Sequence, residues 1–179
     1  MKAGMGTGED NTGHQASGGA EPAHCEVMFY HLTRMPLEQA LPLLLHKTLA
    51  REKRALVRCG NALRLRVLSD AIWTWRDEAF IAHGLPEEGH MHLQPVLLLP
   101  DENSDSPAPN GAQYLFCVEG ARPREEDFAH FERICVLFAD ADETLKERAR
   151  ELWRELKKRE DVRLTYWQQD ARGNWERKA

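Results

Sequence analysis

No apolar run in the 179 residues is long enough to cross a bilayer. The longest are Leu41 to Leu45, broken by Pro42, and Val96 to Leu99, where a spanning helix needs roughly 20 residues. The first 24 residues also lack the apolar centre of a secretory signal, so secretion is not expected. Four cysteines occur, at 25, 59, 117 and 135, with no CxxC pair. Three stand in or beside apolar runs, where a free thiol behaves as a small hydrophobe. A reduced, cytoplasmic setting is expected. Catalytic signatures are missing as well. There is no GxSxG, GxxxxGK[ST] or HExxH, and no GxGxxG follows a strand. Glycines 4, 6 and 8 follow no predicted strand and lack the third glycine of a dinucleotide loop. These absences leave nothing on which to build a catalytic mechanism.

Positive charge is in the minority, 24 Lys and Arg against 29 Asp and Glu: the formal net charge is -5, which does not draw the chain as a whole to DNA phosphates. Its distribution says more. From Glu143 onward 11 Lys/Arg face 8 Asp/Glu, so this last quarter is basic and the remainder strongly acidic. His83, His90 and His92 raise the question of a metal. Two of them sit in a Gly/Glu-rich loop with no Cys or carboxylate cluster at ligand spacing, so no metal or other cofactor is expected. Asp140, Asp142 and Glu143 read as the start of a helix, where the dipole favours negative charge.

What is present is 42% hydrophobic and 30% charged residues, the make-up of a globular domain that buries its own core. Residues 1–24 are polar and Gly-rich and read as a disordered tail or an added leader. From Glu26 onward, apolar strands alternate with helical periodicity. Val27 to Leu32 reads as a buried strand. Thr33 is expected to cap a helix with Pro36 in its first turn, tolerating Pro42 only near its start, with room for a kink. Arg54 to Cys59 is the next strand, and Ala62 to Trp75 the next helix. Phe80 to Gly84 reads as a short extended stretch, and residues 94–99, 113–118 and 133–138 as further strands. A short helix is expected near 125–132, a long one over 142–159 and an edge strand over 162–167. Residues 101–111 read as a polar loop or the end of a hairpin. This order implies βαβ units: an α/β fold, a largely parallel sheet covered on both faces.

The long helix near the end carries three aligned patterns. Leu145, Ala149, Leu152 and Leu156 form the stripe that faces the sheet. Lys146, Arg150 and Arg154 recur every four residues as a basic stripe, with Trp153 beside it. Glu143, Glu147, Glu151 and Glu155 form an acidic rail. Two readings remain open. One is a solvated helix laced by salt bridges. The other is a docking groove for an acidic peptide, in which arginine forks clamp carboxylates and the indole walls an apolar pocket. Upstream, Trp73, Trp75 and Phe80 crowd one segment. Trp73 and Trp75 point to different sides of a helix, so one of them is a candidate anchor for a protein partner.

Three segments together resemble the chi subunit family of bacterial DNA polymerase III. Met28-Phe29-Tyr30-His31-Leu32 is similar to the family's opening FYxL strand. Leu68 to Trp73 followed by Phe80 to Leu85 resembles its LDxxLW…FxPHxL signature. Val136-Leu137-Phe138 leading into Leu145 to Arg154 is similar to its last strand and basic helix. The resemblance covers about residues 26–168. It implies a Rossmann-like fold without a nucleotide-binding loop, over 25–169, flanked by tails at 1–24 and 170–179.

The resemblance further implies a non-catalytic accessory subunit of the clamp-loader complex, without cofactor. Its partner would be the acidic C-terminal tail of single-stranded DNA-binding protein, which ends in a Pro-Phe pair. Single-stranded DNA would be met only indirectly, through that protein. The positions carried over for the tail are Lys146, Arg150, Trp153 and Arg154. The family often has Tyr where Trp153 stands, so the pocket wall is kept and a phenol hydroxyl is lost. Trp73 and Phe80 match the surface for the psi subunit. Ala82 where the family has Pro, the 101–111 loop and the long ends depart from the pattern. Two competing expectations remain: an enzyme using a nucleotide or nucleic acid on the same fold, and a direct single-stranded DNA binder through residues 146–178.

Overall fold

The computed structural model describes residues 25–102 and 106–179. The tail expected at 1–24 and the tip of the polar loop lie outside the described residues. The elements run β1 Cys25–Leu32, α1 Leu37–Leu49, β2 Ala55–Cys59, α2 Leu65–Trp73, β3 His83–Gly84, β4 Val96–Pro100 and β5 Tyr114–Val118. They continue with α3 Glu125–His130, β6 Arg133–Ala139, α4 Glu143–Leu156, β7 Val162–Gln169 and β8 Trp175–Arg177. One eight-stranded sheet has the order β3-β4-β2-β5-β6-β1-β7-β8. Every neighbouring pair is parallel except β7 and β8. The α/β class read from the alternating pattern is the one observed. No helix among the described residues is long and apolar enough to cross a membrane.

Strand side chains alternate between faces, and each face finds its own helical cover. On one face Met28, Tyr30, Val57 and Phe116 pack under Leu41, Leu44 and Leu45 of α1 and Leu65, Leu68 and Ile72 of α2. On the other, Val27, Phe29, Leu115 and Val136 pack under Phe131 and under Ala149, Leu152 and Leu156 of α4. The stripe expected on α4 is thus the one that faces the sheet. Each leucine sealed there contributes roughly 1.5–3 kcal/mol.

Three local expectations are corrected. Thr33 does not cap α1. Pro36 occupies the N-cap position without a side-chain bond, and α1 continues through Pro42. The Thr33 hydroxyl instead donates to the Gln169 carbonyl oxygen at 3.0 Å. The Gln169 side-chain oxygen accepts the N–H groups of Arg34 and Met35 at 3.0 and 2.9 Å, so β7 holds the β1–α1 connection. Secondly, β7 is not the last strand: β8 pairs with its end, Trp167 to Gln169, while 162–165 keep the edge position expected of them. The chain turns through 170–174, with Asp170 accepting from the N–H groups of Arg172 and Asn174 and Gly173 at φ 85°, and returns as β8. Residues 170–179 therefore carry a strand where a flexible tail was expected. Thirdly, the second helix splits into a 3-10 turn at Ala62–Arg64 and α2.

Candidate peptide-binding groove

The groove lies between α4 and β7, where β1 and β6 end. It encloses about 340 Å³ and is lined by His31, Phe138, Lys146, Arg150, Trp153, Arg154 and Tyr166 among others. Asp142 fixes where α4 begins by accepting the Leu145 N–H at 2.9 Å. That start sets the phase of the helix. Ala149 and Leu152 then point into the sheet while Trp153 sits on the shoulder, half-buried. Its indole meets Phe29 edge-on at 5.2 Å and Tyr166 edge-on at 5.8 Å. The ring is therefore fixed by aromatic packing on one side and open to the groove on the other.

The three cations differ in how they are held. The Lys146 ammonium donates to the Asp140 carbonyl at 3.1 Å and ion-pairs with Asp140 at 3.3 Å and Glu143 at 2.7 Å. Its side chain keeps only 13% of its exposure. The Glu143 and Asp140 carboxylates hold the ammonium above its ordinary pKa. Arg150 and Arg154 share a single carboxylate, Glu147, at 3.2 and 3.0 Å, and remain 57% and 63% exposed. Those two guanidiniums, Arg154 first, hold Glu147 below the usual carboxylate range. Two positive charges against one negative leave the pair with a net attraction for a further anion. Exposed pairs of this kind are individually weak, so the arginines are not locked in place.

The far wall was not singled out from the sequence. His31 stacks on Phe138 at 4.9 Å, its Nε2 lies 2.9 Å from Asp140, and its Nδ1 lies 2.9 Å from the Tyr166 hydroxyl. Lys146 and then His31 hold the Asp140 carboxyl below its ordinary range, while burial pushes the Tyr166 phenol up. Strand parity carries the signal that finds these residues. His31 follows Val27 and Phe29 by steps of two, and Tyr166 follows Val162 and Leu164, so all share the face that α4 covers.

The second aromatic cluster lies elsewhere, at the end of α2. Trp73 is 54% and Phe80 74% exposed, with centroids 5.7 Å apart. Trp75 turns the other way and packs on the core beside His46. Of the two tryptophans, Trp73 is thus the exposed one. The histidines separate too. His83 is buried, bonded to the Ser69 hydroxyl at 3.0 Å and to the Ile81 carbonyl at 2.8 Å. No cluster of three metal-ligating side chains occurs among the described residues.

Residues 25–162 match the family model described as DNA polymerase III chi subunit, HolC. No curated protein matches the chain.

Proposed function

Because the chain belongs to the DNA polymerase III chi subunit family, an accessory role in replication, we propose that it serves the clamp-loader complex as a non-catalytic binding subunit. Its α4–β7 groove receives the acidic C-terminal tail of single-stranded DNA-binding protein. Arg150 and Arg154 take the carboxylates, Lys146 adds field at the groove's end, and Trp153 flanks the terminal phenylalanine. The unit that does this is the eight-stranded domain from Cys25 through β8, in a cytoplasmic setting, and DNA is met through the partner.

The observation that carries the reading is the pairing of two half-exposed guanidiniums on one carboxylate beside a half-buried indole. A solvated helix face accounts for the ion pairs but not for the aromatic-walled groove they border. The Trp73–Phe80 patch, exposed and apolar, supports the psi subunit as a second partner.

Calorimetric titration with the tail peptide tests this. Binding is expected near micromolar, on the order of 8 kcal/mol, and weaker as salt rises. Arg150→Ala is expected to weaken it about tenfold with the fold retained. A peptide without its final Phe that binds equally well sinks the assignment. Tight binding to naked single-stranded DNA favours a direct DNA binder instead.

A further inference from the structure

The opposite face of the sheet holds a second, larger groove of about 370 Å³. Helix α1 crosses that face from β1 toward β2. Beyond α1, where β1 gives way to β7 and β8, the groove is walled by Trp167 and Trp175, both half-buried. Trp175 meets Tyr30 edge-on at 5.0 Å, so its ring is fixed by the floor beneath it. The rim is cationic. Lys47 and Arg51 leave the end of α1, both exposed, and neither side chain has a hydrogen-bond or ion-pair partner among the described residues. Arg133 stands opposite, tied to Glu26 at 2.7 Å. Three cations against one acid give this groove a positive surplus on a chain whose net charge is -5.

Cations near a helix C-terminus also interact favourably with the helix dipole, which accounts for the placement of Lys47 and Arg51 by itself. It does not account for the aromatic walls of the groove that they share. Indole rings within reach of unpaired cations are the combination that receives a flat, negatively charged molecule: the ring packs on an aromatic face and the anion meets the cations. The volume lies within the range of about 300–1,000 Å³ usual for small-molecule sites. An acidic peptide would use the cations but would leave most of the aromatic wall unmatched, apart from a single side chain.

We propose that this groove binds a nucleoside phosphate unit, its base against Trp167 and Trp175 and its phosphate at Lys47 and Arg51. Two sources present that chemistry, a free nucleotide and a single strand. The site is separate from the α4–β7 groove and stands or falls independently of it.

The test follows the indole N–H signals of Trp167 and Trp175, assigned through single Trp→Phe variants, in the full chain. Thymidine monophosphate is expected to shift both. Lys47→Ala with Arg51→Ala is expected to weaken the effect about tenfold. Both positions are exposed, so the fold is expected to hold, checked by circular dichroism. Undiminished tail-peptide binding in the same variant separates this site from the first. Equal shifts from ribose 5-phosphate or inorganic phosphate overturn the proposal, because the base then adds nothing. So does an unchanged affinity in the double variant, or a response to the acidic tail peptide alone. Tighter binding of a short oligothymidylate than of the mononucleotide supports the site and assigns the strand as its source. Equal binding supports it with the free nucleotide as source.

Discussion

The Arg58 guanidinium and the Asp127 carboxylate meet through two parallel hydrogen bonds, at 2.6 and 2.9 Å, with side chains only 1% and 0% exposed. The pair ties β2 to α3 across the sheet. The same carboxylate also accepts the Arg124 N–H at 2.6 Å and so closes the start of α3. Asp127→Ala leaves a buried cation without its partner and is expected to cost about 3–5 kcal/mol, read as a drop in urea midpoint. Replacing both residues by apolar ones of similar volume is expected to cost less than that single change. A double variant as unstable as Asp127→Ala removes this account.

Glu147 restrains both exposed arginines of the groove. Glu147→Gln removes the competing charge, and tail-peptide affinity is expected to rise by about 2–5-fold at low salt and converge with wild type at high salt. Weaker binding in this variant shows that Glu147 orients the arginines rather than competing for them.

Lys146 is already engaged by Asp140 and Glu143. Lys146→Ala is therefore expected to weaken the peptide less than Arg150→Ala, by about 2–3-fold. The ranking is checked by running the two variants side by side in one calorimetric series.

Trp153 serves both the core and the groove, because it packs on Phe29 and Tyr166. Trp153→Ala is expected to lower stability by about 2–4 kcal/mol as well as binding, whereas Trp153→Tyr is expected to stay within about 1.5 kcal/mol in stability. Phe80→Ser, at a side chain 74% exposed, is expected to shift stability by less than about 0.5 kcal/mol while abolishing psi-type association. Thermal melts and a pull-down separate the two effects.

All four cysteines are buried and free. Burial pushes the thiols of Cys25 and Cys135 up to about 12 and raises Cys59 and Cys117 too. In the unfolded chain a thiol ionises near about 8.5. The folded state therefore holds protons that the unfolded state sheds. This contribution is intact below about 8.5 and is lost as pH rises toward 12. Native protein at pH 8 is expected to resist a thiol-specific chromogenic reagent, with all four sites reacting after denaturation. Stability is expected to fall above about pH 9. Rapid native labelling at any one site counts against burial as the cause.

The alternation of apolar strands and amphipathic helices made most of the fold legible, because each element advertises its own period. What escaped was set by distant partners. Thr33 satisfies local capping rules, yet its hydroxyl goes to Gln169, far along the chain. Arg58 interrupts an apolar strand, and only Asp127 on another element explains why it is tolerated. The return strand β8 has three residues and no apolar alternation, although the Asp170 to Asn174 turn before it carried a hairpin signal. The stripe of Arg150, Trp153 and Arg154 was readable from helical spacing. The wall opposite, formed by His31, Phe138 and Tyr166, needed the strand order that brings β1, β6 and β7 side by side.

The brevity of β3 and β8 has an effect on how copies of this chain meet one another. A sheet eight strands wide ends in edges of two and three residues, and the second carries Glu176 and Arg177. Such end strands offer almost no ladder of their own, and they leave unpaired only the part of β4 beyond Leu97 and of β7 before Tyr166. Backbone zipping between crowded molecules is thereby confined to short stretches, and association is left mainly to side-chain surfaces that choose their partners.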